Sequence, residues 1–253
     1  MHVRHTIKKK TLCVGIISTP LDLNGSDGSS HIAKKYVDWM EDNGVHVIPI
    51  PYDTTEHEKY FNMINGLLIV GDIPGEIMKN TTYIDCVTKF FILSLREYFP
   101  IWGTCAGFQM LLCLVGGIKL KNNLSSGLYP IKTKKSRMFT FSPKYIDYLE
   151  NYKSAFHSNH YGISCKDFLK NKHIKRFYNI TSTCKEYVAS IESKYYPIYG
   201  TQWHPENHRK TFKPFADFFI SELKKSKHSC KNRKLSSILK PKMCSHCNEL
   251  CYF

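Results

Sequence analysis

Apolar positions along the chain follow two periods, and the switches between them predict the elements. Residues 12–17 form a short unbroken apolar run, as in a strand buried on both faces. A Gly/Ser/Asp-rich stretch at 24–30 follows. Ile32, Tyr36, Trp39 and Met40 then recur at helical spacing, with Ser29 or Ser30 as N-cap and Gly44 as terminator. Residues 45–50 read as a second strand stopped by Pro51, 56–64 as a short helix and 66–70 as a third strand. A helix carrying Val87, Phe90, Phe91 and Leu95 leads to a fourth strand at 100–102 and a helix at 108–115. The second half changes character. It predicts short strands at 128–132, 138–141, 179–184, 187–191 and 197–201, then a helix over 211–223 with Phe215, Phe218, Phe219 and Leu223 as its apolar stripe.

Strands alternating with helices at this spacing predict an α/β fold. We expect a three-layer, doubly wound and mostly parallel sheet with helices on both faces, plus additional short antiparallel strands in the second half. Ligands of such sheets bind at the carboxyl ends of the strands. No internal repeat of fixed period is visible. No stretch approaches 18 consecutive apolar residues, so no spanning helix is expected.

Composition changes the picture mainly through where the charge lies. The chain has 253 residues, 42% of them hydrophobic, which is ample for a core and excludes a disordered chain. Its net charge is +15, but residues 1–10 and 224–253 hold twelve bases against one acid. The basic balance therefore belongs to the ends. The expected organisation is a basic arm at 1–10, one domain at 11–223, and a basic Cys/His-rich tail at 224–253 that is expected to be disordered. The apolar run after Lys8–Lys10 is too short and strand-like for a secretory h-region. A cytoplasmic location is expected, or a vacuolar, lysosomal or secreted one if the chain starts upstream. In a cytosol-like compartment Cys13, Cys86, Cys113, Cys165 and Cys184 read as ordinary thiols.

Two motifs carry chemistry. Gly103-Thr104-Cys105-Ala106-Gly107 lies between a strand and an apolar helix. It is a nucleophile elbow with cysteine in place of serine. The turn aims the sulfur at the sheet's carboxyl edge and sets it at a helix N-terminus, where the dipole favours thiolate. The N–H of Ala106 then becomes an oxyanion donor. A hundred residues on, Gln202-Trp203-His204-Pro205-Glu206 directly follows an apolar strand. Alternate residues of extended chain share a side, so His204 can serve as a base oriented by Glu206.

These motifs, with Tyr36-Val37, Gly44 to Pro49, Ile64 to Leu68, Phe99 to Phe108, Ser136 to Phe139 and Tyr196 to Glu206, resemble the class I glutamine amidotransferase superfamily. Within it they resemble the γ-glutamyl hydrolases, which trim polyglutamate from folates. The resemblance covers residues 12–223. It implies a cysteine hydrolase with Cys105 as nucleophile, His204 as base and acid, and Glu206 as orienter, working through a γ-glutamyl thioester without a cofactor. It places oxyanion donors at Gly71, Asp72 and Ala106, and substrate contacts at Gln109, Arg137, and Asn159 or His160. The sequence departs from the family where Asp72 replaces a second glycine, where Gln109 stands for a glutamate, and where Asn207 follows Glu206. Lys134 and Lys135 are further candidate cations for an acidic substrate.

Alternative readings are a glutaminase component of an amidotransferase, a hydrolase of small γ-glutamyl amines, and a non-catalytic scaffold with a basic binding tail. The implied partner is a small γ-glutamyl substrate, with a homodimer a further expectation. Cys230, Cys244, Cys247 and Cys251 have spacing that admits a zinc site, but a tail binding anionic partners through charge alone is the expected reading.

Overall fold

The computed structural model describes residues 11–20, 30–71, 77–118, 120–122, 126–229, 242–243 and 250–252. Its central sheet is built from β1 (Cys13–Ile17), β2 (His46–Ile50), β3 (Gly66–Ile69), β4 (Ile101–Thr104), β5 (Lys132–Thr133), β6 (Tyr178–Cys184), β7 (Tyr187–Ser193) and β8 (Ile198–Thr201). The strand order is β2-β1-β3-β4-β8-β7-β6-β5. From β2 to β8 every pairing is parallel. From β8 to β5 every pairing is antiparallel. The sheet is thus the mostly parallel one expected, with its antiparallel part at one end.

Helices α1 (Lys34–Glu41), α2 (His57–Met63), α3 (Thr81–Ser94), α4 (Ala106–Gly116), α5 (Pro143–Asn151), α6 (Cys165–Lys170), α7 (Lys172–Phe177) and α8 (Lys213–Leu223) cover both faces. Strand alternation sorts the side chains into two cores. Cys13, Ile17, Leu67, Ile69 and Ile198 face Phe61, Phe90, Leu111 and Ile174, so α2, α3, α4 and α7 lie on that side. Val14, Ile16, Leu68 and Tyr199 face Trp39, Leu149, Phe215 and Phe219, which places α1, α5 and α8 on the other. Each of these fully buried large side chains contributes roughly 1.5–3 kcal/mol.

Several local expectations fail, each for a physical reason. Ser30–Ala33 is a strand rather than the start of a helix, and Ile32 belongs to it; α1 begins at Lys34 with no side-chain cap. The strand pairs with Thr19–Pro20 on one side and Leu250–Tyr252 on the other, and tertiary pairing overrides the helical spacing. Leu250–Tyr252 also pairs with Lys242–Met243, so these parts of the tail hold strand where disorder was expected. Residues 138–141 turn instead of extending. Glu192 accepts the N–H groups of Arg137 and Met138, and Ser136 Oγ that of Phe139. Cys13 is disulfide-bonded rather than an ordinary thiol, whereas Cys86, Cys105, Cys113, Cys165 and Cys184 are free. Asn65 shows what reaches the foot of β1: its Oδ1 accepts the Cys13 N–H, and its Nδ2 donates to the carbonyl of His228 beyond α8. No helix among the described residues is long and apolar enough to cross a membrane.

Candidate active site

β4 ends at Thr104 and α4 starts at Ala106, leaving Cys105 alone to make the turn. Its backbone sits at φ 53°, ψ −105°, a left-handed conformation costly for a side-chain-bearing residue. The flanking glycines permit it through close approach. A Cβ on Gly103 would meet the Gly107 carbonyl at 2.7 Å, and one on Gly107 would meet the Ile69 oxygen at 2.1 Å. The Cys105 N–H donates to the Thr201 carbonyl at 2.8 Å, which ties the elbow to β8. The Cys105 thiol reaches the carbonyl of Ser158 at 3.9 Å. The Ala106 N–H belongs to the first helical turn, whose amides the helix itself leaves unpaired.

His204 follows β8, and its N–H is held by the Phe156 carbonyl at 2.9 Å. Its Nδ1 is 2.7 Å from Glu206 Oε1, and the Glu206 side chain is fully buried. This contact leaves Nε2 for the sulfur. Burial alone would lower the His204 pKa, but the Glu206 carboxylate and the Cys105 sulfur outweigh it and hold the imidazole above its ordinary value. Burial would likewise raise the Glu206 pKa, yet His204 and then Lys35 bring it below the usual carboxylate range. The three expected residues therefore converge as a Cys–His–Glu constellation at the carboxyl edge of β4 and β8.

Gly71, expected as an oxyanion donor, has its N–H already engaged: it donates to the Tyr36 hydroxyl at 2.9 Å. A Cβ there would meet that hydroxyl at 2.7 Å and both Cys105 Cβ and His204 Cε1 at 3.1 Å. Gly71 is thus the floor of the site. Asp72, the other donor expected on that loop, lies outside the described residues. Gln109 is buried and donates from Nε2 to the Tyr161 carbonyl at 2.7 Å and to Gln202 Oε1 at 3.2 Å. Asn159 Nδ2 donates to the same carbonyl at 3.0 Å. With His160 they line a cavity of about 750 Å³ that opens on Cys105. Beyond this polar end the cavity wall is apolar, formed by Ile77, Met78, Ile84, Met110, Leu114, Ile118 and Leu120, with Lys79 as the only cationic lysine or arginine among the described lining residues.

Arg137 does not join them. It donates to the carbonyls of Ser193 and, at 3.2 Å, Tyr196. It sits 3.8 Å from Glu192 and stacks on the Tyr199 ring at 5.1 Å. These contacts make it a brace at the opposite end of β8, and Lys134 and Lys135 are also absent from the cavity lining. Among the described residues, no three His, Cys, Asp or Glu side chains are grouped to hold a metal ion. Cys230, Cys244 and Cys247 lie outside the described residues, and of Cys251 only the backbone strand is described.

The sequence reading missed three residues at the site. Tyr36 Oη lies 3.4 Å from His204 Nδ1, and Lys35 Nζ lies 3.5 Å from Glu206 Oε1. His157 is buried beside His204, and burial, with the charge of His204, pushes its pKa down to about 4. In the sequence Tyr36 belongs to a helical apolar stripe and to a segment that carries the family resemblance, neither of which marks a site residue. The His157 signal was present in the Phe156-His157-Ser158-Asn159-His160 run, where the later residues drew the assignment.

Comparison with known proteins identifies the family. The family profile "Glutamine amidotransferase class-I" matches residues 27–221. A γ-glutamyl hydrolase of Mus musculus is 34% identical, the alignment covering 81% of this chain and 75% of that protein. One of Homo sapiens is 30% identical over 81% and 74%, and γ-glutamyl hydrolase 1 of Arabidopsis thaliana is 26% identical over 92% and 79%. A solved Thermoplasma acidophilum structure, that of a candidate GMP synthase component, superposes with TM-score 0.58 at 16% identity, covering 84% of this chain and 96% of that one, which speaks to the fold. With its nucleophile elbow, its His–Glu pair and this degree of identity, the chain belongs to the γ-glutamyl hydrolase family of the class I glutamine amidotransferase-like proteins.

Proposed function

We propose that this γ-glutamyl hydrolase cleaves poly-γ-glutamyl folates through Cys105, His204 and Glu206. The observation that carries the mechanism is the geometry of the pair: His204 Nδ1 is fixed on Glu206 at 2.7 Å while the other ring nitrogen is left for the sulfur of a strained elbow. Cys105 attacks the γ-carbonyl carbon, forming a C–S bond, and the oxyanion rests on the Ala106 N–H. The C–N bond breaks as His204 passes its proton to the leaving amine, which leaves a γ-glutamyl thioester. His204 then takes a proton from water, whose oxygen attacks the thioester. Collapse of that adduct releases the glutamyl acid and returns the thiol. Acid–base help and an oxyanion donor are each worth roughly 10²–10³ in rate.

The cavity supports the substrate class. Its polar end at Cys105 suits a glutamyl backbone, and its apolar arm suits a flat aromatic group on the acyl side. The test is to incubate the protein separately with a pteroyl-poly-γ-glutamate, free glutamine and a γ-glutamyl amine. Release of glutamate or oligoglutamate from the first at much the highest kcat/KM is expected. Preference for glutamine would indicate a glutaminase component, preference for the amine a small-amide hydrolase, and turnover of none a scaffold.

A further inference from the structure

The site holds a buried carboxylate whose environment is asymmetric. Glu206 is fully buried, and its Oε1 is shared between His204 Nδ1 at 2.7 Å and Lys35 Nζ at 3.5 Å. Lys35 also donates to Asn207 Oδ1 at 3.0 Å, which clips helix α1 to the 3-10 turn Pro205–His208. The lysine reaches in from a surface position, its side chain 40% exposed, so its charge stays hydrated while its ammonium touches a desolvated anion. Among the described residues, the other charged or titratable groups around the pair are Cys105 just before α4, Tyr36 on α1 and His157 on the strand Ala155–His157. Arg209 does not compete for Glu206, since Asp38 and Asp42 bind it at 2.9 and 3.0 Å.

We infer that Lys35 is a positioning residue that holds Glu206 in register and restrains how strongly this carboxylate draws a proton onto His204. An unopposed buried carboxylate would favour the imidazolium so strongly that proton release to the leaving amine would slow. A cation on the same oxygen offsets part of that attraction and brings the imidazole nearer the working pH. The inference rests on the reading of His204 and Glu206 as the acid–base pair.

The test titrates His204 by NMR in a Cys105→Ala background, with Lys35 intact and as Lys35→Met. No turnover is needed, so a wrong substrate assignment cannot mimic a failure. Removing the cation should raise the His204 pKa by about 0.5–1 unit, and Lys35→Arg should restore it. In the protein with Cys105, the alkaline limb of kcat/KM on a γ-glutamyl substrate should move upward by the same amount. Should Lys35→Met fail to fold, Lys35→Gln, which can keep the bond to Asn207 without charge, is titrated instead. A His204 titration that superimposes on the Lys35 protein overturns the inference, whatever happens to thermal stability.

Discussion

Cys105 carries backbone strain of about 1–3 kcal/mol, and its neighbours hold it there. Cys105→Ala should abolish γ-glutamyl turnover, by on the order of 10⁴-fold or more, while leaving the protein folded. Mass spectrometry of a briefly quenched reaction should find the acyl adduct on Cys105 alone. The Tyr36 hydroxyl acts at one remove: it accepts the Gly71 N–H and abuts His204. Tyr36→Phe should lower kcat about tenfold with little change in KM, because it loosens the loop beneath the site without touching the cavity wall. A changed KM with unchanged kcat would assign Tyr36 to substrate binding. At this scale the nucleophile and its His–Glu partners were legible, because an elbow and a His-Pro-Glu strand end have local signatures. Tyr36, Lys35 and His157 were not, because their roles come from three elements meeting. Arg137 was misassigned because a basic residue looks the same in sequence whether it faces a ligand or a backbone carbonyl.

Helix α4 shows how differently two glycines can matter at the ends of one element. At Gly107 an added methyl would sit 2.1 Å from the backbone oxygen of Ile69, so β3 and α4 would have to separate. Gly107→Ala should cost about 3 kcal/mol or more by the scale of core overpacking, read by urea denaturation. At Gly117 the backbone is left-handed (φ +56°) but nothing lies within 4 Å. Gly117→Ala should cost only about 1 kcal/mol, the penalty for a Cβ in that conformation. The long helices and parallel strands were legible because their periodicity spans many residues. Helices α5 to α7 went unread, being six to nine residues long and set among polar turns. The expected strand at 138–141 failed because buried Glu192 captures the amides a strand would have used.

Across the whole molecule, buried histidines make stability depend on pH. Burial lowers both His31 and His157 to about 4. Each is neutral when folded and takes up a proton on unfolding once the pH is below its ordinary value of 6.5. Their contribution is therefore complete above pH 6.5 and is lost as the pH falls toward 4. His204 has the opposite sign and a different window: held above its ordinary value, at about 10, its contribution is complete below pH 6.5 and is lost as the pH rises toward 10. The melting temperature should fall from about pH 7 to about pH 4.5, and His31→Gln should flatten that fall. The sheet's margins carry a different consequence. One outer strand, β2, contains Pro49, which has no amide hydrogen, and the other, β5, is two residues long. Neither offers a continuous ladder to a strand from outside. Among the described residues, the central sheet thus presents no long open margin on which a strand of a second chain could extend it, so the stacking that builds cross-β assemblies has no starting point there.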